Sequence, residues 1–466
     1  MAGMGVAAFE EFRHAWNSPG GEPVNGPPRT TSRRLDVLGL SAVFAAIYFI
    51  QGVSEPTEGL IAQPVRSLLR DWGHSTDQIA WFHAWLALPW ALKPIFGFWI
   101  DLVPWGGSRH RRYLIAANAV TAVALIAVYR FPPGAGTRLV EVFAWLVVPT
   151  FGVAFADVVV DALMIERGRP LGLTGRLQSI QWGSMYTATI LTGAVGGWIT
   201  QSDREELGFL ISGVCAGAAL LLAVGWLKEP RVAPSGAATE ASDNTERVAN
   251  GVRAERLTVR RWFARVARPR VLTAAAFLFL WSFNPFSTTV LHLHMTGAMR
   301  FDEQFYGETV SIQAFGAVAA SLVYGLVCRK VPFVILVHAS IVLGIFATAA
   351  YFVMTDASSA RIVAVVVGFA YMTGCLAQFD FAARACERGA AATTFALLMA
   401  VSNLSLSLST GLGGSIYARW NDAWGPERAF HLLVALGAAS TAACWLLTPA
   451  LHRFARAETE TARPDD

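Results

Sequence analysis

Charge is what this chain has least of: only 15% of its 466 residues are Asp, Glu, Lys or Arg, against 54% hydrophobic residues. With a mean hydropathy of +0.44, it has too little polar surface for a soluble domain. Clustered cysteine is missing too. Cys215, Cys328, Cys375, Cys386 and Cys444 stand singly with no CxxC spacing, which excludes a zinc ribbon and a disulfide framework and leaves them as packing residues. Neither HExxH, nor GxSxG, nor a phosphate loop, nor a Cys/His constellation occurs, so an enzyme is not expected, and neither is a metal or a cofactor. The first 35 residues are rich in Gly, Pro and Arg and hold no apolar core, so they read as a disordered cytosolic tail without a cleavable signal. The net charge of +4 is carried by loop arginines and does not point to nucleic acid.

What the chain does have is apolar runs of about 20 residues or more, each long enough to cross a bilayer. Turn and charge punctuation divides them into spans near 37–58, 77–103, 113–130, 138–164, 175–200 and 206–227, and again near 271–296, 304–328, 332–354, 360–386, 391–417 and 429–449. The expected fold is therefore an all-α membrane protein of twelve transmembrane helices. Its halves are 36–227 and 270–450, joined by a basic cytosolic linker at 228–269 and followed by a cytosolic tail at 451–466. An even count puts both termini on one side. The loops holding Arg109, Arg111 and Arg112, then Arg167 and Arg169, Arg329 and Lys330, and Arg384 and Arg388, fall on that side with the Arg-rich linker, which marks it as cytoplasmic. The end of the linker, with Arg253 to Arg268 around Trp262 and Phe263, reads either as an interfacial helix on the inner leaflet or as a solvated connector. Pro56 and Pro285, Gly97 and Gly325, Glu166-Arg167-Gly168 and Glu387-Arg388-Gly389, and the Gly196-Gly197 and Gly413-Gly414 pairs keep a slowly drifting offset. Such an offset is the mark of two parallel repeats with a site between them near the midplane. A unit of this kind encloses a pathway by itself, so a monomer is expected.

Ionisable residues inside spans are the sharpest functional signal, because each is costly in hydrocarbon unless it faces a cavity or a partner. Lys93 in span 2 lies well above the cytoplasmic end and requires a buried counter-charge. Asp157 of span 4 falls at comparable depth, and Asp161 shares its helix face four residues on, so a Lys93–Asp157 pair is expected. That set fits either proton coupling or a static ion pair. In span 10, Gln378, Asp380 and Arg384 form a second polar set. In span 1, Glu55 and Glu58 flank Pro56 and Gly59, which can loosen the helix; Glu58 reads as the wetter of the two. Gln181 and Trp182 of span 5, and Trp281 and Asn284 of span 7, are candidate groups for stacking on and hydrogen bonding to a ring-containing ligand. His292 and His294 point to different faces, against a metal pair. Asp101, with Arg109, Arg111 and Arg112, could latch the cytoplasmic ends of spans 2 and 3.

Jointly, Leu88 to Asp101 (LPWALKPIFGFWID), Trp105 to Tyr113, Ala156 to Arg167 (ADVVVDALMIER), Leu177 to Gly183 (LQSIQWG) and Phe277 to Pro285 (FLFLWSFNP) resemble the folate-biopterin transporter family of the major facilitator superfamily over about residues 37–450. The resemblance implies alternating-access transport of folate or pteridines in a multi-pass inner or plasma membrane, driven by protons. Matched residue by residue, it singles out Lys93, Asp101, Asp157 and Asp161. A folate would need stacking, amide hydrogen bonds and a cation, for which Trp182, Gln181 and Lys93 or Arg384 are candidates. Muropeptide permeases share a similar Asp-x-x-x-Asp span, so a permease for a muropeptide, a sugar conjugate or a drug is the alternative. From a different class, a non-transporting receptor or membrane enzyme is disfavoured by the absence of a sizeable extramembrane domain and of catalytic motifs.

Overall fold

The computed structural model describes residues 30–103, 105, 110–168, 174–226, 268–327, 333–385 and 391–450. The elements among them are helical: α1 (Thr30–Ser54), α2 (Ala62–Asp71), α3 (Thr76–Leu86), α4 (Leu88–Ala91), α5 (Lys93–Leu102), α6 (Arg111–Arg130), α7 (Leu139–Gly168), α8 (Thr174–Gln201), α9 (Glu205–Trp226), α10 (Pro269–Ser282), α11 (Thr288–Leu293), α12 (Glu303–Val327), α13 (Phe333–Ala349), α14 (Ala357–Ala385), α15 (Ala391–Trp424) and α16 (Pro426–Ala442). The helix α1 begins at Thr30, inside the segment read from sequence as tail. The linker and the C-terminal tail lie outside the described residues, apart from Arg268 and Pro269, which open α10.

Among the described residues, seven helices are long and apolar enough to cross a membrane by themselves: α6, α7, α9, α13, α14, α15 and α16, some with a short extension. The remaining traverses are α1, α3–α5, α8, α10–α11 and α12. Their lower apolarity follows from what they do. Spans 1, 2 and 7 are interrupted, while α8 and α12 pack on each other through glycines rather than facing lipid along their length.

The interruptions have local causes. Pro56 has no amide hydrogen to donate, so α1 cannot run through it, and the backbone turns with Gly59 N–H donating to Glu55 O at 2.9 Å and Leu60 N–H to Val53 O at 3.1 Å. A Cβ on Gly59 would sit 2.3 Å from Glu55 O, so only glycine fits. The Glu55 carboxylate secures the turn by accepting Thr57 N–H at 2.9 Å and the Thr57 hydroxyl. Beyond the break, α2 carries the chain onward with Gln63, Arg66 and Ser67 buried. Sequence reading ends span 1 near residue 58, but the buried path continues to Leu69. Span 7 repeats the arrangement around Pro285. There Asn284 Oδ1 accepts Phe286 N–H at 3.0 Å, and the Ser287 hydroxyl caps α11 by accepting Val290 N–H at 3.4 Å.

The halves meet along two seams at the end of the bundle remote from the termini, here the far end. On the first, Gly193 and Gly197 of α8 face Gly307 of α12 so closely that a Cβ on Gly307 would lie 2.2 Å from Gly193 O. Small residues at a crossing permit this approach between helices in lipid. The Ser311 hydroxyl donates across it to Ile190 O at 2.8 Å. On the second, α3 packs against α15, where Gly411 accepts the face of Trp81 and Trp81 Nε1 donates to Ser415 Oγ at 2.9 Å.

Candidate substrate and coupling site

Span 2 breaks at Leu92, and Lys93 opens α5 with Pro94 behind it. The lysine therefore projects from a helix start in the middle of span 2. Its Nζ lies 2.6 Å from Asp157 Oδ2, and Asp157 is 2% exposed. One turn along α7, Asp161 Oδ1 accepts the Tyr48 hydroxyl at 2.7 Å and Gln181 Nε2 at 3.0 Å. Lys93 also rests 4.5 Å from the Trp90 ring centroid, a cation–π contact, and Trp90 Nε1 donates to Glu55 Oε1 at 3.2 Å. Spans 1, 2, 4 and 5 thus deliver Tyr48, Glu55, Trp90, Lys93, Asp157, Asp161 and Gln181 to one cluster. Within it Lys93 pairs with Asp157, while neutral donors, Tyr48 and Gln181, hold Asp161.

Glu58, at the span 1 break, is exposed, as expected of a carboxylate at a helix end. Trp182 of α8 stacks on Phe379 of α14 with centroids 5.0 Å apart, an aromatic contact between the halves.

Two sequence candidates sit elsewhere. Trp281 is buried in the core of the second half, where it stacks on Tyr371 at 5.7 Å and donates to Ser340 O at 3.3 Å. Gly344 and Gly374 make room for its ring. It is a packing residue of that core. Asn284 is likewise spent on the span 7 break and on Thr348 Oγ1, to which its Nδ2 donates at 2.9 Å. At the terminus-bearing end, Arg111 Nη2 donates to Val224 O at 2.9 Å, tying α6 to α9, and His110 stands 3.4 Å from Glu166. Arg112 has partners of its own. Arg109 and the side chains of Asp101, Asp380 and Arg384 lie outside the described residues.

One constellation has no counterpart in the sequence reading. At the far end, the buried Glu303 carboxylate accepts Ser67 Oγ at 3.0 Å, Arg70 Nη1 at 2.9 Å and Gln63 Nε2 at 2.9 Å, and pairs with His292 Nε2 at 2.8 Å. Gln201 Oε1 accepts its backbone N–H at 3.1 Å. Spans 1 and 5 are thereby bound to spans 7 and 8 through one residue, span 5 by its backbone N–H. The clue available in the sequence was the polar stripe Gln63, Arg66, Ser67 and Arg70, spaced three and four apart as on one helix face. His294 turns away to the Tyr417 hydroxyl at 2.9 Å, so the two histidines make no joint site. Among the described residues, no group of three His, Cys, Asp or Glu could hold a metal.

The model of the BT1 family matches residues 59–430, a range that holds the Lys93, Asp157 and Asp161 cluster and both seams. The chain belongs to the BT1 family. This BT1-family chain is 28% identical over 397 residues to a folate-biopterin transporter of Synechocystis, covering 80% of this chain and 74% of that one. It is 27% identical over 177 residues to the probable folate-biopterin transporter 4 of Arabidopsis thaliana, covering 38% of this chain and 35% of that one. In three dimensions it is similar to the nucleoside transporter NupG, with a TM-score of 0.64 at 14% identity over 88% of this chain and 99% of that one. Its TM-score with a D-xylose-proton symporter is 0.64 at 12% identity, over 88% and 97%. This BT1-family chain is a multi-span membrane transporter of the major facilitator fold, not an enzyme.

Proposed function

We propose that this protein moves folate- or pteridine-type organic anions across the membrane by alternating access, with proton flow coupled to Asp157 and Asp161. The observation that carries the coupling is a half-buried lysine paired with Asp157, with a second carboxylate, Asp161, one turn along the same helix and held by neutral donors. Protonation of Asp161 changes the charge of the cluster by one unit at a site reached by four spans. Such a change biases a two-state bundle only if the two states differ in how they stabilise that charge. The substrate class rests on the likeness to the Synechocystis folate-biopterin transporter. With both termini cytoplasmic, as the loop arginines favour, the sealed far end faces outward, and a single chain encloses the route.

The test is uptake of labelled folate and biopterin into proteoliposomes with and without an inward proton gradient. The wild type accumulates label only with the gradient, and Asp157→Asn reduces that accumulation at least about tenfold, as loss of a buried hydrogen-bonded charge predicts. Flux of neither compound would redirect the substrate search to muropeptides, sugar conjugates and other organic anions.

A further inference from the structure

Spans 1, 2, 4 and 5 all belong to the first half, so the second half needs a route by which it registers the charge of the Lys93 cluster. The break in span 2 supplies one. In a continuous helix the carbonyl of Trp90 would accept the N–H four residues on, but position 94 is proline and has none. Asn403 of α15 provides the missing donor: its Nδ2 donates to Trp90 O at 3.2 Å. This bond crosses between the halves in the middle of span 2. It continues the α3–α15 seam, in which Ala80 meets Gly414 and Trp81 meets Gly411; Asn403 follows roughly 12 Å farther along α15.

Trp90 is the residue through which the bond acts. Besides the carbonyl held by Asn403, its ring lies 4.5 Å from Lys93 Nζ, and its Nε1 donates to Glu55 Oε1 at 3.2 Å. Lys93 in turn pairs with Asp157 at 2.6 Å. The residue before Asn403, Ser402, shares a hydrogen bond of 2.5 Å with Ser282 at the end of α10, so the same turn of α15 is anchored beside the span 7 break. Movement of α15 away from α4 takes the amide from Trp90 O and releases a helix of only four residues, and with it the indole that covers Lys93.

Resting on the proton-coupled reading above, we propose that Asn403 is a positioning residue for coupling: with the far end closed it fixes Trp90 over Lys93, and separation of the α3–α15 seam withdraws that support. The two states then stabilise the charge of the cluster differently, which is the condition a change of charge must meet to bias the bundle.

The experiment measures two rates in proteoliposomes of the full chain reconstituted at matched density: accumulation of labelled folate or biopterin driven by an inward proton gradient, and exchange of labelled for unlabelled compound with no gradient. Asn403→Ala lowers accumulation about fivefold, the population change that one net hydrogen bond supplies, and leaves exchange within about twofold of wild type. Asn403→Asp, similar in size but without amide donors, does the same. Asn403→Gln keeps the donors on a longer stem and retains most of the accumulation. Loss of both rates in proportion means that Asn403 only packs the helices, and overturns the assignment. If wild type accumulates label under the gradient and Asn403→Ala or Asn403→Asp matches it, this inference fails and the coupled reading stands. If wild type shows no gradient-driven accumulation of either compound, the coupled reading falls and this inference with it.

Discussion

Lys93→Ala abolishes gradient-driven uptake and lowers the melting temperature in detergent, whereas Lys93→Ala combined with Asp157→Asn recovers most of the melting temperature and none of the transport. The reason is the asymmetry of buried ion pairs. Removing one member leaves an uncompensated charge and costs about 3–5 kcal/mol, while replacing both by neutral groups can be nearly neutral. Asp157 is 2% exposed and reaches Lys93 at 2.6 Å, so the single variant leaves a buried carboxylate without its counter-charge. Uptake and a thermal melt, measured on the same preparations, separate the two roles. A static pair that only fixes helix packing would regain transport along with stability in the double variant.

The second large effect is expected at Glu303. Four side chains converge on its carboxylate, three of them from α2 and one from span 7, and all but His292 come from the opposite half. Glu303→Ala removes these acceptors at once while leaving the glycine seam below intact. Truncating a buried, hydrogen-bonded charge costs roughly 2–5 kcal/mol, and every 1.4 kcal/mol is a factor of ten in a two-state equilibrium. The far end should therefore open in a population at least about tenfold larger. Ser311, whose hydroxyl crosses the seam, is the reporter. In a background with the five native cysteines replaced by serine, Ser311→Cys reacts with a membrane-impermeant maleimide at least about ten times faster when Glu303→Ala is also present. Equal labelling rates would mean that the glycine seam alone closes this end.

Much of this was legible in the sequence because lipid imposes severe rules. A lysine in the middle of an apolar run must find a partner, and helical spacing put Asp157 at its depth, so Lys93, Asp157 and Asp161 stood out. Gln181 was visible too, as an amide within a span. Tyr48 was not, because its contact with Asp161 joins residues more than a hundred positions apart and nothing local marks it. The break at Pro56 was legible from proline and glycine, but α2 was not. Its Gln63, Arg66, Ser67 and Arg70 resemble a loop by composition, and only the second half's Glu303 and His292 make them burial-competent. Glu303 escaped notice for the opposite reason, since an acid at the start of a span normally ends in water. Trp281 shows the limit of residue type as a guide. An indole can stack on a ligand or fill a core, and the space beside Gly344 and Gly374 decided for the core.

The account turns on protons and substrate moving together through the Asp157–Asp161 cluster. The direct measurement is internal pH, followed with a trapped dye, in proteoliposomes given an inward folate gradient and no initial proton gradient. The account predicts internal acidification on folate addition in wild type and none in Asp161→Asn, the variant in which the carboxylate held only by Tyr48 and Gln181 can no longer take a proton. Folate entry without acidification in wild type, or undiminished acidification in Asp161→Asn, would contradict it.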